Sequence, residues 1–296
     1  MPDFWTFFIF IKCFIFLFFT NLIKKCSGSY FYYSYATFLG VSGLYLFIDN
    51  PMRNLIAISF FYLALKNAVN RHFWRFIGWV LFASTIHFSA LALIPVYWLF
   101  AYRVKNVYLF ASFVTINVIF LIKKEFVDSI ILNVVSQIPI LGLKVAEYFL
   151  TESPYSLGKI LSPKMLIYSF LFVMLLRTRR YIENGYNGKL LFNASVFFLL
   201  FYRISLSYSI LFRFNMYFEV FFILGICLLI GKIVMSARKY YIFFLMLFTL
   251  YSMCSMITTT TVYVPYTNYL EYMFSPKPSF GYRSAYNERN SPYHKQ

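Results

Sequence analysis

Long apolar runs, separated by short basic clusters, are the feature that most constrains how this chain can fold. Soluble domains carry about 25% charged residues, whereas here 12% of the residues are charged and 61% are hydrophobic. A chain so poor in charge cannot cover a hydrated surface, but apolar runs of about 20 residues match the thickness of a bilayer. The sequence therefore predicts an all-α polytopic membrane protein with about 8–10 transmembrane helices.

The basic residues indicate orientation rather than binding to nucleic acid. The net charge is +17, but the lysines and arginines do not share one face or arm. They lie in clusters between the apolar runs: Lys24–Lys25, Arg71 with Arg75, Arg177–Arg180, and Lys232 with Arg238–Lys239. Lys and Arg in short loops mark the cytoplasmic side. Anionic lipid head groups are their expected partners, and no nucleic-acid partner is expected.

Counting spans from these clusters gives each apolar run a direction across the membrane. Within each half of the chain the runs point inward and outward in alternation. The runs assigned in this way are Phe4–Ile23, Tyr30–Ile48, Met52–Val69, Lys164–Leu176, Leu190–Leu206, Asn215–Ile230 and Tyr240–Ile257. Residues 1–274 are predicted to form one transmembrane helical domain. The polar tail, residues 275–296, is rich in Pro, Ser, Asn and charge and is predicted to be disordered.

The middle of the chain allows two topologies. In the first, Phe76–Ala101 is a hairpin broken near His87, and Val107–Ile122 then runs outward. In the second, Phe76–Ala101 crosses once, Val107–Ile122 returns, and Phe126–Leu150 crosses outward. We favour the hairpin because residues 126–150 carry charged side chains that are costly in lipid. Residues 125–163 then form an outer loop with an amphipathic helix.

Three arginines break the rule that basic residues lie inside. Arg53, Arg203 and Arg213 all fall at outer helix ends by the same count. They could reach lipid phosphates or pair with Asp49 or Glu219. Alternatively, guanidinium groups bind phosphate and pyrophosphate bidentately, and helix N-termini add their dipoles. The second interpretation predicts an anion site at the outer membrane surface.

A lone histidine, His87, interrupts an apolar run. It is either a hydrogen-bonded packing residue or a functional intramembrane residue, in which case neutral imidazole could serve as a general base on a sugar hydroxyl. The sequence contains no D-x-D pair for a nucleotide-sugar metal, no G-x-x-x-x-G-K-[ST] loop and no G-x-S-x-G elbow. A donor already in the membrane is therefore favoured, with no metal or cofactor.

Four short motifs follow one another along most of the chain: Arg53-Asn54-Leu55-Ile56-Ala57, Ile86-His87-Phe88-Ser89-Ala90-Leu91, Arg213-Phe214-Asn215-Met216-Tyr217-Phe218 and Val264-Pro265-Tyr266. Each motif alone is weakly specific. The ordered set resembles the EpsG-like family of polysaccharide repeat-unit polymerases, the Wzy type. Members usually begin with a further span and a G-x-D-Y-like motif, and neither precedes Phe4 here.

The resemblance implies a glycosyltransferase that polymerises undecaprenyl-pyrophosphate-linked oligosaccharides into O-antigen, capsule or exopolysaccharide. It would act at the outer face of the bacterial inner membrane, with a fold like that of GT-C integral-membrane glycosyltransferases. Arg53 and Arg213 would hold pyrophosphate or sugar, and His87 would orient or deprotonate the acceptor. Tyr217, from the same motif as Arg213, and Asp49 complete the expected binding residues. Arg203 is added from its topological position, not from the family.

Other membrane functions remain open at this point. A flippase or transporter of the same lipid-linked oligosaccharide would need a cationic cavity open to both sides, usually built from two related halves, and we find no internal repeat. A membrane acyltransferase decorating the polysaccharide would need an acyl-chain tunnel reaching a histidine. For a polymerase, a flippase and a chain-length regulator are the expected protein partners.

Overall fold

The computed structural model describes residues 4–49, 52–122, 127–129, 133, 163–207, 209–259, 281–282, 285–286 and 289. Over these residues the regular structure is helical and contains no strands, which confirms the predicted all-α class. The α-helices, numbered in chain order, are α1 (Phe4–Ser27), α2 (Phe31–Phe38), α3 (Met52–Val69), α4 (Phe73–Ile86), α5 (Val96–Ala101), α6 (Asn106–Ile122), α7 (Pro163–Glu183), α8 (Gly188–Ser207), α9 (Ser209–Leu228) and α10 (Met235–Thr259).

Short non-α segments connect or extend these helices. Two π-helical segments, Leu39–Gly43 and Tyr45–Asp49, prolong α2, and a 3₁₀ segment, Phe88–Leu93, separates α4 from α5. The predicted outer loop (125–163), the polar tail (275–296) and the Val264-Pro265-Tyr266 motif lie wholly or almost wholly outside the described residues. What the sequence predicts for these three segments therefore stays a prediction.

Three helices in the described part of the chain are long and apolar enough to cross a bilayer: Gly188–Leu206, Leu211–Gly231 and Met235–Ile257. Two shorter apolar helices are Phe73–Ile86 and Asn106–Ile122. The span at Leu211–Gly231 is the most deeply buried of the three and the span at Met235–Ile257 the least. Helix α9 is therefore the centre of the bundle, with apolar residues on all of its faces.

The basic clusters meet at one end of the bundle, which we call the basic end. The Arg71 guanidinium lies 5.7 Å from the centre of the Tyr102 ring, Arg103 pairs with Glu183 at 2.8 Å, and Arg179 pairs with the same carboxylate at 2.7 Å. Several helices extend beyond the predicted apolar runs here. In particular, the cluster Arg177–Arg180 lies within α7 and not in a loop.

The segment with two possible topologies forms a hairpin. Helix α4 ends at Ile86, His87 adopts an extended conformation (φ −144°, ψ 109°), and the chain then turns back. The Tyr97 ring in α5 lies 5.0 Å from Phe73 and 5.4 Å from Phe76, centroid to centroid, so α5 returns to the start of α4. The hairpin thus enters and leaves at the basic end.

Helices α8 and α9 pack closely against each other at the centre of the bundle. At Gly225 in α9, a Cβ atom would collide with the Ser195 hydroxyl of α8. That hydroxyl lies 2.7 Å from the Leu191 carbonyl and 2.8 Å from the Phe221 carbonyl and can donate its one proton to either. Small residues allow such contacts in membrane bundles, and α8 and α9 are therefore joined where the Ser195 side chain packs on Gly225 and lies next to the Phe221 carbonyl.

Candidate functional site

Arg53 is the second residue of α3 and is exposed at the end opposite the basic end, which we call the distal end. Helix α3 rises about 1.5 Å per residue, which puts Arg53 about 27 Å from the turn at Arg71. Asp49 closes the π-helical segment just before α3, and its side chain lies outside the part that the structure describes. Arg53 thus lies at the start of a helix, as predicted, at the end of the bundle opposite the basic clusters.

His87 lies at the tip of the hairpin, where local hydrogen bonds end α4. Its N–H donates to Ala83 at 3.0 Å, and its carbonyl accepts from Ala90 at 3.0 Å. Just before it, the hydroxyl groups of Ser84 and Thr85 donate to carbonyl groups three residues earlier, each at 2.7 Å. Such side-chain bonds compete with the helix ladder and favour the break that presents the imidazole.

The same helical rise places His87 about 22 Å from the basic end, roughly one turn below Arg53. His87 is half-buried and belongs to none of the candidate spans. Burial lowers its pKa below the ordinary value, and the positive charges of Arg213 and Arg53 lower the pKa further. The imidazole is therefore held in its neutral form, in which one ring nitrogen can accept a proton.

Arg213 and Tyr217 lie one turn apart on α9. Arg213 is the nearer of the two to the distal end, just as Arg53 is nearer to that end than His87. Arg213 is exposed, whereas Tyr217 is fully buried and packs edge-on against Phe61 of α3, with ring centroids 5.4 Å apart. The Tyr217 hydroxyl is a near neighbour of the Ser89 hydroxyl, without the geometry of a direct hydrogen bond. Three motifs far apart in sequence thus meet in one place.

Arg203 differs from the other two distal arginines. It lies in the last turns of α8 and is 8% exposed, whereas Arg53 and Arg213 are exposed. An arginine buried to this degree is held by its protein surroundings and is less available to a ligand at the surface. The site that the geometry assembles consists of Arg53, His87, Arg213 and Tyr217, and we call it the distal arginine–histidine site.

A second group of charges at the distal end was not singled out by sequence reasoning as a site. Lys164, the second residue of α7, and Glu219 of α9 both line a cavity of about 360 Å³. Glu219 was considered only as a pairing partner for an outer arginine, and Lys164 only as the start of a span. The available signal was an acidic residue in the middle of an apolar run, which is costly in a membrane and marks function.

The chemistry available at the distal arginine–histidine site is anion binding next to a neutral imidazole. Two exposed guanidinium groups can bind phosphate oxygens bidentately, and His87 lies within electrostatic range of both. Over the described ranges, no group of three or more His, Cys, Asp or Glu side chains could hold a metal ion. The side chains of the site itself offer positive charge and an imidazole that can accept a proton.

The fold and this site define a polytopic all-α membrane protein with a cationic site at the end opposite its basic loops. The family model described as the EpsG family matches residues 2–274. The chain belongs to the EpsG family, and this membership suggests a polymerase role in polysaccharide biosynthesis. The search of curated proteins and the search of solved structures each give no match.

Proposed function

We propose that this protein polymerises undecaprenyl-pyrophosphate-linked oligosaccharide repeat units into O-antigen, capsule or exopolysaccharide. The protein would be a multi-pass component of the bacterial inner membrane, with its distal end at the outer face. The observation that carries the proposal is the meeting of Arg53, His87 and Arg213 at the distal end. Family membership supports the class of reaction.

In the proposed reaction, an acceptor hydroxyl attacks the anomeric carbon of the donor saccharide. A new glycosidic bond forms while the bond from that carbon to the lipid pyrophosphate breaks, and undecaprenyl pyrophosphate leaves with the bonding electrons. Arg53 and Arg213 stabilise the charge that develops on the pyrophosphate. His87 orients the acceptor hydroxyl and accepts its proton. No metal takes part in this scheme.

The supporting residues would have lesser roles. Tyr217 is buried behind the site and would position the motif that bears Arg213. Asp49, just before α3, and Arg203, at the end of α8, are proposed to contact the saccharide or to hold the arginines in place. At the basic end, anionic lipid would bind the clusters, and a flippase and a chain-length regulator would act on the same lipid-linked material.

The decisive experiment is complementation of a deletion strain followed by gel analysis of surface polysaccharide. Arg53→Ala and Arg213→Ala should abolish the ladder of long chains while single repeat units still reach the surface. Arg75→Ala is the matched control, because Arg75 is also an exposed arginine in the first turn of a helix, at the basic end. Unchanged chain length in both distal variants would refute the proposal.

The same experiment separates the alternatives. A flippase defect would leave repeat units on the cytoplasmic face, and an acyltransferase defect would remove acyl groups at normal chain length. Immunoblots with the membrane fraction check that each variant is present at the wild-type level. A variant that is present but gives single units alone therefore supports the polymerase.

A further inference from the structure

The cavity beside Glu219 is a second site at the distal end. It lies between the π-helical extension of α2 and helices α7, α8, α9 and α10. Its volume, about 360 Å³, falls in the usual range for small-ligand sites, about 300–1,000 Å³. The polar residues that line it include Tyr45, Lys164, Tyr202, Asn215, Glu219 and Ser252.

Helix α9 separates this cavity from the distal arginine–histidine site. Successive residues of an α-helix are rotated by about 100°, so Asn215 lies about 200° around α9 from Arg213. Glu219 has the same relation to Tyr217. The two sites therefore share α9 as a common wall but lie on opposite faces of it, about one helix diameter apart, roughly 10 Å.

The cavity holds one basic and one acidic side chain, Lys164 and Glu219. Lys164 and Glu219 lie within electrostatic range of each other, and the Lys164 ammonium is 5.7 Å from the centre of the Tyr168 ring and 5.8 Å from that of Tyr202. With one basic residue set beside an acidic one, the cavity attracts a polyanion less than two guanidinium groups would. This distinguishes it from the distal arginine–histidine site, which carries two guanidinium groups.

Two buried polar atoms in the cavity wall point to a ligand. Asn215 is 2% exposed and Ser252 is 5% exposed. The Asn215 Oδ1 and the Ser252 Oγ have no hydrogen-bond partner within the described portion of the chain, whereas the Asn215 Nδ2 lies 3.5 Å from the Ser205 hydroxyl. Buried polar atoms are nearly always paired, so these two atoms of the lining residues lack a partner that a bound group would supply.

The remaining lining is aromatic and apolar, including Phe198 and Phe212. Ammonium, carboxylate, amide and hydroxyl groups beside aromatic rings offer donors, acceptors and apolar faces together, which is the chemistry that recognises a neutral polyhydroxylated ring. We propose that this cavity binds a sugar of a lipid-linked repeat unit, with Glu219, Asn215 and Ser252 bonding its hydroxyl groups. The source of the sugar rests on the proposed function.

Equilibrium dialysis of the full-length protein in lipid nanodiscs tests this proposal. The probes are the radiolabelled repeat-unit oligosaccharide, released from its lipid by mild acid, and inorganic pyrophosphate. Glu219→Gln should weaken oligosaccharide binding at least about tenfold through loss of a charged hydrogen bond, and Ser252→Ala about fivefold through loss of a neutral one. Pyrophosphate binding should not change in either variant.

A matched control is available in Ser42→Ala, because Ser42 is also a buried serine with an unpartnered hydroxyl but does not line the cavity. Removing such a hydroxyl is close to neutral for folding, so Ser42→Ala should bind the oligosaccharide like wild type. A released chain of several units, used as a third probe, models the donor, whereas the single unit models the acceptor. Ser252→Ala should weaken the binding of one of these two probes more than the other, and that probe identifies the sugar as part of the donor or of the acceptor.

The outcomes are distinguishable from those for the proposed function. Oligosaccharide binding that is absent in wild type, or unchanged in both Glu219→Gln and Ser252→Ala, overturns the cavity proposal, even if Arg213→Ala still abolishes polymerisation. Pyrophosphate binding that is lost in Lys164→Ala would also overturn it, since the cavity would then be an anion site. Conversely, Glu219→Gln and Ser252→Ala could weaken oligosaccharide binding while Arg53→Ala and Arg213→Ala still make normal polymer. This result would support the cavity proposal and refute the polymerase mechanism.

Discussion

Removing the Arg179 side chain should destabilise the protein more than removing any other charge at the basic end. Arg179 is 6% exposed, and its Nε donates to the Glu183 carboxylate at 2.7 Å. Its Nη1 donates to the Val104 carbonyl at 2.6 Å and to the Asn106 side-chain oxygen at 2.8 Å. One side chain thus joins the end of α7 to the start of α6.

The magnitude follows from burial. Removing one partner of a buried pair costs about 3–5 kcal/mol, because a charge is left stranded. Here Glu183 keeps a second partner, Arg103, whose side chain is 67% exposed, and such a pair contributes about 0–1 kcal/mol. We therefore expect Arg179→Met to cost about 3 kcal/mol and Arg103→Ala to cost less than about 1 kcal/mol.

Thermal unfolding of the purified protein in detergent measures this difference. The entropy of unfolding is about 2.1 cal/mol/K per residue, so for a chain of 296 residues 1 kcal/mol shifts the Tm by about 1.6 °C and Arg179→Met should lower it by about 5 °C. The double variant Arg179→Met with Glu183→Leu should lose less than Arg179→Met alone, since no carboxylate is then stranded. Equal losses in Arg103→Ala and Arg179→Met, or no recovery in the double variant, would refute this reasoning.

Three further predictions follow from local geometry. Gly225→Ala should destabilise the protein by about 1–3 kcal/mol, and adding Ser195→Gly should restore part of the loss in the same unfolding assay, because the new Cβ meets the Ser195 hydroxyl. Arg71→Gly should raise the Tm by an amount equivalent to about 1 kcal/mol, since Arg71 has a left-handed backbone (φ 59°). Arg213→Ala should raise the pKa of His87, measured by NMR titration, because it removes a positive charge that favours the neutral imidazole; an unchanged or lower pKa would contradict the contact.

Local signals in the sequence were enough to predict where the helices lie. The run Met52–Val69 was predicted with the bounds that α3 has, because Pro51 and the basic turn mark its two ends. The hairpin broken near His87 was the favoured one of the two topologies, because the other placed the charged residues 126–150 in lipid. Helix ends in the basic clusters were placed too early, because charged residues outside the membrane still continue a helix.

The site was predicted less completely than the helices. The motifs named Arg53, His87 and Arg213, but their meeting depends on how α3, the hairpin and α9 pack. The cavity with Lys164 was not predicted. Helix α9 is mostly apolar and buried, so hydropathy does not indicate which of its faces carries Glu219. Its rotation is fixed by contacts such as that between Gly225 and Ser195.

Polymerisation by the purified protein tests the central claim most directly. The protein in nanodiscs is incubated with the undecaprenyl-pyrophosphate-linked repeat unit, with a chelator present, and products are separated on a gel. We expect wild type and Arg75→Ala to build a ladder, and Arg53→Ala, Arg213→Ala and His87→Ala to leave the single unit. A ladder of wild-type length in the three distal variants, or no ladder from wild type, would contradict the account.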